Sequence, residues 1–191
     1  MSFQKFKEDI IQLVPVRRLR KFLSYNYGWF PKNRVAKDAI ITSKKNLKLG
    51  GNVYIGNHGT QLHCAGGVSI GYGTYIAGGT IIMSTNHNYN SKTHLPFDGI
   101  SIAQSVEIGE YCWIGAKSCI CPGVKIEDGA VVAMGSVVTK SVPKGAVVGG
   151  NPARILKYRD LKVYEDIRNR KKPLPRPSGL IKIEGFKEYL N

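Results

Sequence analysis

The sequence predicts an all-β solenoid, a parallel β-helix, and two interlocked patterns support this prediction. An aliphatic residue recurs at every sixth position, at Ile108, Ile114, Ile120, Ile126, Val132 and Val138. A small or apolar residue follows each of these by four positions, at Cys112, Ser118, Val124, Ala130, Ser136 and Val142. A period of six fits neither a helix nor an ordinary strand, and it is typical of a parallel β-helix. Each unit is therefore expected to point one large and one small side chain into a narrow shaft.

The same period occurs earlier in the chain, in two shorter series. The first joins Leu49 to Ile55, and the second joins Ile70, Ile76 and Ile82. The fifteen positions from Ile55 to Ile70 exceed two periods by three residues, which predicts an irregular turn near residues 62–67. A longer interruption at residues 83–105 is expected to form an excursion from one corner, where functional residues of solenoids tend to lie.

The 191 residues are expected to form one domain with two flanks. We expect a helical N-terminal cap over residues 1–38, the β-helix with its loop over 39–155, and a basic tail with a short helix over 156–191. A cap would cover the open end of the shaft. The alternative for the basic N-terminal segment is an amphipathic contact with an anionic membrane.

The net charge of +15 lies in the flanks. Residues 49–150 carry five basic and five acidic side chains, whereas residues 1–48 carry twelve and three, and residues 151–191 carry eleven and five. The flanks contain no nucleic-acid-binding motif, so we expect no nucleic-acid partner. A phosphorylated co-substrate or an anionic membrane surface explains the basic charge of the flanks as well as a nucleic acid would.

The N-terminal residues 1–13 contain charged side chains in place of a signal-peptide apolar core. No apolar run approaches the roughly 20 residues that span a bilayer. We therefore expect a cytoplasmic protein, with peripheral contact at the inner face of the membrane as the alternative. Of the four cysteines, Cys119 and Cys121 are close enough to suggest a metal site, but two thiols without further ligands favour a structural role, and no metal is expected.

Histidine is the first candidate for acid–base chemistry, because its pKa of about 6.5 allows proton transfer near neutral pH. The chain has four, at positions 58, 63, 87 and 94. His87 stands where the regular repeat gives way to the loop at 83–105. We expect this position to be exposed to solvent and held on one side by the rigid coil. A lone histidine is more often structural than catalytic, and at this position the residue pattern leaves both roles open for His87.

Five segments carry a resemblance to a known family: 85–87, 106–115, 122–124, 135–140 and 149–154. With them, the chain resembles the hexapeptide-repeat acyltransferases over about residues 49–157. Within that family it is similar to the sugar and polysaccharide O-acetyltransferase branch, which includes galactoside, maltose, nodulation-factor and capsule acetyltransferases.

The resemblance implies a left-handed β-helix that forms a homotrimer and binds acetyl-CoA in the cleft between subunits. It implies direct acetyl transfer in a ternary complex, without a metal, and it gives His87 the role of general base. Asn57 and Asn86 fall on the acceptor side of the family's site. The positions that fall on the acetyl-CoA site are Trp113, Ala116, Met134, Thr139, Lys140, Arg154 and Lys157.

The implied acceptor is a hydroxyl of a sugar or polysaccharide precursor. Cys64 and Ala65 stand where the galactoside and maltose enzymes carry acidic residues that bind the acceptor, so small galactosides and maltose fit this chain less well. A lipid-linked or nucleotide-linked glycan suits a positively charged protein better.

Three alternatives remain open from the sequence. An antibiotic O-acetyltransferase of the streptogramin type shares the Asn-His and Pro-Phe pairs of the loop. A zinc enzyme similar to the γ-class carbonic anhydrases needs three converging histidines. A solenoid that only binds or scaffolds would need no catalytic residue.

Overall fold

A computed structural model describes residues 33–170 of the chain. These residues form eighteen strands and one α-helix, α1, at Leu161–Asn169. A single 3₁₀ turn lies at Lys44–Asn46. The strands in chain order are β1 Arg34–Val35, β2 Ile40–Thr42, β3 Leu47–Leu49, β4 Tyr54–Ile55, β5 Gln61–His63, β6 Val68–Ile70, β7 Tyr75–Ile76, β8 Ile81–Met83, β9 Thr85–His87, β10 Ser101–Ala103, β11 Val106–Ile108, β12 Trp113–Ile114, β13 Cys119–Ile120, β14 Lys125–Ile126, β15 Val131–Val132, β16 Val137–Val138, β17 Ala146–Gly150 and β18 Ala153–Tyr158.

Sixteen of the eighteen strands form three sheets that the chain visits in rotation. The first sheet has the order β1-β4-β7-β12-β15-β17-β18, the second β16-β13-β8-β5-β2, and the third β14-β11-β6-β3. Every pair in these sheets is parallel except β17 with β18. The predicted all-β class is confirmed, and the rotation through three sheets is the strand order of a parallel coil.

The six-residue repeat of the sequence forms the core of this coil. All six aliphatic residues of the 108–138 series are buried, and so are all six residues that follow them by four positions. Each fully buried Ile or Val contributes about 1.5–3 kcal/mol to folding through removal of apolar surface from water. The small inward hydroxyls are also satisfied, since Ser118 Oγ donates to the carbonyl of Gly115 at 2.8 Å. Packing and hydrogen bonding thus both follow from the repeat.

The irregular turn is shorter than predicted. Leu62, which we placed in the turn, lies in β5 and is 0% exposed. The turn itself occupies residues 64–67, where the N–H of Gly67 donates to the carbonyl of Cys64 at 2.9 Å. A Cβ on Gly66 would overlap the carbonyl oxygen of Ser84, so the next coil passes too close for any other residue.

The interruption at residues 83–105 contains more order than a loop. Strands β9 and β10 pair as an antiparallel hairpin, with His87 opposite Ser101 and Thr85 opposite Ala103. We call residues 84–105 the arm. It leaves the coil after β8 of the second sheet and returns at β11 of the third. The arm therefore projects from the corner between these two sheets.

The described residues include parts of both predicted flanks. Strand β1 falls within the predicted cap region of residues 1–38, yet it pairs with β4 as part of the first sheet. At the other end, Asp160 caps α1 by accepting from the N–H of Val163 at 3.0 Å. The cap predicted over residues 1–32 and the tail over 171–191 lie outside the described residues. Within residues 33–170, no helix combines the length and apolar character needed to span a bilayer.

Candidate active site

Three of the predicted site residues lie on one corner of the coil, where the chain passes from the first sheet to the second. Asn57, Ala116 and Met134 each stand two residues after the inward aliphatic of a first-sheet strand. Backbone hydrogen bonds stack these turns: the N–H of Gly135 donates to the carbonyl of Ala116 at 2.8 Å. We call this the front corner. It presents a ladder of turns with the exposed side chain of Met134 at one level.

Three other predicted residues lie at the opposite corner of the second sheet, beyond the ends of its strands, where the chain passes to the third sheet. Thr139 and Lys140 directly follow β16 and are exposed. His87 belongs to the arm, which leaves from the same corner. We call this the rear corner. These six predicted residues of one chain are therefore divided between two corners that flank the second sheet.

His87 ends strand β9, and its side chain is exposed. Its backbone N–H donates to Oδ1 of Asn86 at 2.9 Å. Its imidazole stacks on the ring of Phe97, with ring centroids 3.9 Å apart and planes inclined by 15°. The imidazole is thus open to solvent and held against one aromatic neighbour.

The loop of the arm is closed by one carboxylate. Asp98 accepts the side-chain amide of Asn88 at 2.7 Å and the N–H of Ile100 at 2.9 Å. The hydrogen bond from Ile100 and, less strongly, that from Asn88 hold the pKa of Asp98 below its ordinary value. Because both carboxylate oxygens accept bonds within the loop, this side chain fixes the shape of the arm.

The two predicted acceptor residues occupy different places. Asn86 lies on the arm beside His87, with its carbonyl oxygen already engaged by the backbone. Asn57 lies on the front corner, exposed, and its backbone carbonyl accepts from Gly79 at 3.0 Å and from the hydroxyl of Thr60 at 3.0 Å. The chain therefore does not place the two amides on one corner.

Trp113 lies on the outer face of the first sheet and is 55% exposed. It stands next to Tyr75 in register, and Tyr75 in turn stacks on Tyr54 with centroids 4.4 Å apart. This aromatic row was not predicted. The sequence contains a signal for it, because each aromatic residue directly precedes an inward isoleucine of a first-sheet strand. Trp113 is its exposed end, beside the front corner.

Arg154 and Lys157 lie on β18, the last strand of the first sheet, and both are exposed. Arg154 donates to the carbonyl of Ala153 at 3.0 Å. The N–H groups of an exposed guanidinium suit phosphate oxygens, because such charge-assisted hydrogen bonds are short and strong. The two cations form a positive end to the sheet that carries Trp113.

Three of the four cysteines are poor nucleophiles here. Burial raises the pKa of Cys112 to about 12 and also raises the pKa values of Cys64 and Cys121. A thiol with a raised pKa is protonated at neutral pH, and the protonated form does not attack a thioester. This chemistry favours a mechanism without an acyl-cysteine.

The remaining histidines are spread along the coil and the arm. The ring of His63 hydrogen-bonds Gln61 at 3.1 Å, and that of His94 hydrogen-bonds Thr93 at 3.0 Å. Within residues 33–170 there is no group of three His, Cys, Asp or Glu side chains placed to hold a metal ion. The zinc-enzyme alternative gains no support from within one chain.

The comparisons with known proteins agree with this architecture. Residues 105–140 match the family model described as the hexapeptide repeat of succinyl-transferase. The chain is 33% identical over 144 residues to the provisionally named colanic acid biosynthesis acetyltransferase WcaF of Escherichia coli (strain K12), across 74% of this chain and 76% of WcaF. It is 27% identical over 173 residues to the galactoside O-acetyltransferase of the same strain, across 80% of this chain and 84% of that protein.

A solved structure extends the likeness to the fold. The hexapeptide-repeat containing acetyltransferase VCA0836 from Vibrio cholerae O1 biovar eltor, complexed with acetyl coenzyme A, aligns with a TM-score of 0.60 and 24% identity. The alignment covers 81% of this chain and 84% of that chain. The sequence match to WcaF spans about three quarters of both proteins, and the resemblance read from the motifs is confirmed. The chain belongs to the hexapeptide-repeat acyltransferase family.

Proposed function

We propose that the protein is an O-acetyltransferase that moves the acetyl group of acetyl-CoA to a hydroxyl of a sugar or polysaccharide precursor. The observation that carries the proposal is the placement of His87, an exposed imidazole on a hydrogen-bonded hairpin at the edge of the second sheet. Similarity to WcaF and to the galactoside O-acetyltransferase supports acetyl transfer to a sugar-type acceptor. The complex of VCA0836 with acetyl coenzyme A supports the choice of donor.

His87 acts as the general base. A sugar hydroxyl is a weak nucleophile until its proton is removed, and neutral imidazole can accept that proton as the oxygen attacks the thioester carbonyl. The C–O bond forms as the C–S bond breaks, and the imidazolium returns the proton to the departing thiolate. No acyl-enzyme is needed, which agrees with the raised pKa of the buried thiol of Cys112.

The active unit is a homotrimer of left-handed coils that associate through the outer face of the second sheet. This face bears a mainly apolar row: Ile40, Gln61, Ile81, Cys119 and Val137. The corresponding row on the third sheet is polar and charged: Lys48, Ser69, Glu107 and Lys125. Apolar surface favours the subunit contact, and a cyclic arrangement closes such a head-to-tail interface.

The division of the site between two corners also supports this assembly. In a ring joined through the second sheets, the front corner of one subunit faces the rear corner of the next. The front corner, with Ala116 and Met134, would then lie beside the His87, Thr139 and Lys140 of a neighbour. Acetyl-CoA would lie in this cleft, with its phosphates toward the cations of β18, at Arg154 and Lys157.

The acceptor is a lipid-linked or nucleotide-linked glycan. The basic flanks attract a pyrophosphate or an anionic membrane surface, and the name of WcaF connects a relative to polysaccharide biosynthesis. The proposal places the enzyme in the cytoplasm, with peripheral contact at the inner face of the membrane. The flank limits 1–38 and 156–191 remain predictions.

The test is an acceptor panel. The full chain is incubated with acetyl-CoA and activated sugars, including nucleotide sugars and an undecaprenyl-diphosphate saccharide, and products are examined by mass spectrometry for one added acetyl group. Maltose, a simple galactoside and virginiamycin complete the panel. Acetylation of an activated sugar supports the proposal. Acetylation of virginiamycin alone would assign the protein to the antibiotic-modifying branch, and acetylation of no hydroxyl compound would overturn the proposal.

A further inference from the structure

The ring of Phe97 lies nearly flat against the imidazole of His87, at 3.9 Å between centroids. Ten positions separate the two residues in sequence, so the loop of the arm must fold back to bring them together. We propose that Phe97 is a positioning residue, which restricts the imidazole to one plane and so fixes the directions of its two ring nitrogens. The inference rests on the proposed role of His87 as general base.

An exposed imidazole at the end of a strand needs such a restraint. The bond between its Cβ and its ring has a broad torsional well, so the ring direction is weakly fixed by the side chain itself. A phenyl face at 3.9 Å blocks this rotation, because a turning imidazole would drive its edge into the neighbouring ring. A general base transfers a proton efficiently only from a defined direction and distance.

The loop is built so that the stack is maintained. Asn88 directly follows His87, and Asp98 directly follows Phe97. The side chains of Asn88 and Asp98 are hydrogen-bonded to each other, since the amide of Asn88 donates to the carboxylate of Asp98 at 2.7 Å. The carboxylate is held in turn by the N–H of Ile100 at 2.9 Å. One hydrogen-bonded link therefore ties together the two positions next to the stacked rings.

The backbone on the other side of His87 is fixed as well. The backbone N–H of His87 donates to Oδ1 of Asn86 at 2.9 Å, and His87 pairs with Ser101 in the hairpin. The backbone is thus set by the hairpin, which leaves the ring direction as the remaining freedom. Among the described residues, the ring stacked on this imidazole is that of Phe97.

The test compares four variants of the full chain with the wild type and with His87→Ala. Phe97→Leu removes the flat ring but keeps apolar volume, and Phe97→Tyr keeps the ring. Asp98→Asn weakens the link while leaving Phe97 in place. Tyr89→Leu likewise replaces an exposed aromatic ring of the same loop with leucine and serves as the matched control.

The first readout is the NMR spectrum of isotope-labelled histidine side chains, which requires no turnover. The chain has four histidines, and a His87→Ala spectrum identifies the resonances of His87. Phe97→Leu is expected to remove the ring-current displacement of these resonances, and Phe97→Tyr and Tyr89→Leu are expected to retain it. Asp98→Asn should reduce it.

The second readout is the release of CoA thiol from acetyl-CoA, with UDP-galactose and with water as probe acceptors. Phe97→Leu is expected to lower kcat about 10-fold to 100-fold, since small misplacement of a reacting group costs this much, while KM for acetyl-CoA stays within about twofold. Phe97→Tyr should restore kcat. A thermal melt confirms that each variant remains folded.

The results separate this inference from the proposed function. If the His87 resonances and kcat in Phe97→Leu match those of the wild type while His87→Ala is inactive, positioning by Phe97 is wrong and the general base stands. If His87→Ala retains full activity, the base itself is wrong, whatever the stack does. A loss of kcat in Tyr89→Leu equal to that in Phe97→Leu would also overturn positioning, because the effect would then belong to the loop as a whole.

Discussion

The N–H of Gly135 donates a 2.8 Å hydrogen bond to the carbonyl of Ala116, which lies one coil away on the front corner. This bond keeps two turns in step, and each turn carries a residue expected to contact acetyl-CoA. The corner is rigid because it is also anchored inward, by the fully buried Ile114 and Val132 of the strands that enter the two turns. Site geometry and core packing therefore depend on the same repeat.

Truncation of a central core residue is expected to destabilise the whole coil. Ile114→Ala should lower the free energy of unfolding by about 2–5 kcal/mol, because Ile114 is 0% exposed and the cavity cannot fully collapse. Chemical denaturation measures the loss. Lys125→Ala, at an exposed outward position of β14, is the matched control and should change stability by no more than about 0.5 kcal/mol. Equal effects at the two positions would contradict the inward–outward assignment.

A charge on the outer face of the second sheet is expected to dissociate the proposed trimer. Ile81→Glu places a carboxylate in the apolar row, where it would be desolvated without a partner at the subunit contact. Analytical ultracentrifugation should show trimers for the wild type and monomers for the variant. Ser69→Glu makes a similar change on the polar third sheet and should remain trimeric. A trimeric Ile81→Glu protein would show that another face forms the contact.

Removal of the guanidinium of Arg154 is expected to weaken the binding of acetyl-CoA. A lost charge-assisted hydrogen bond to phosphate costs about 1.5–3 kcal/mol, which corresponds to roughly a tenfold to hundredfold rise in KM for acetyl-CoA, with a smaller change in kcat. Steady-state kinetics at two salt concentrations measure both parameters. Arg170→Ala, at a cation beyond α1, is the control. An unchanged KM in Arg154→Ala would remove this residue from the cofactor site.

Acidification is expected to loosen α1 from the coil. The hydrogen bond from Lys144 and the positive charges of Lys144 and Arg168 lower the pKa of Glu165. A carboxyl with a lowered folded-state pKa stabilises the fold above its unfolded pKa of about 4.3, and this stabilisation is lost as the pH falls through the folded-state value. The Tm of the wild type should therefore fall more steeply below about pH 4 than that of Glu165→Gln. Parallel pH profiles for the two proteins would contradict this.

The six-residue repeat allowed the coil to be predicted from the sequence, whereas the structure of the arm could not be predicted in this way. The residues of the 108–138 series could be assigned to the core because a six-residue period maps directly onto turns of a coil. Leu62 was misplaced because the spacing from Ile55 to Ile70 shows that extra residues exist without showing where they lie. The contact of His87 with Phe97 depends on a hairpin and a side-chain link that leave no periodic trace. The family motif, in contrast, pointed to His87 before any contact was known.

The most direct test of the account is the rate of acetyl transfer by His87→Ala, measured with the acceptor that the panel identifies and with the CoA affinity determined in parallel. We expect the variant to bind CoA as the wild type does and to lose about 10²–10⁴ in kcat, the usual contribution of a general base. A variant that transfers acetyl groups at the wild-type rate would contradict the assignment of His87 and with it the proposed mechanism.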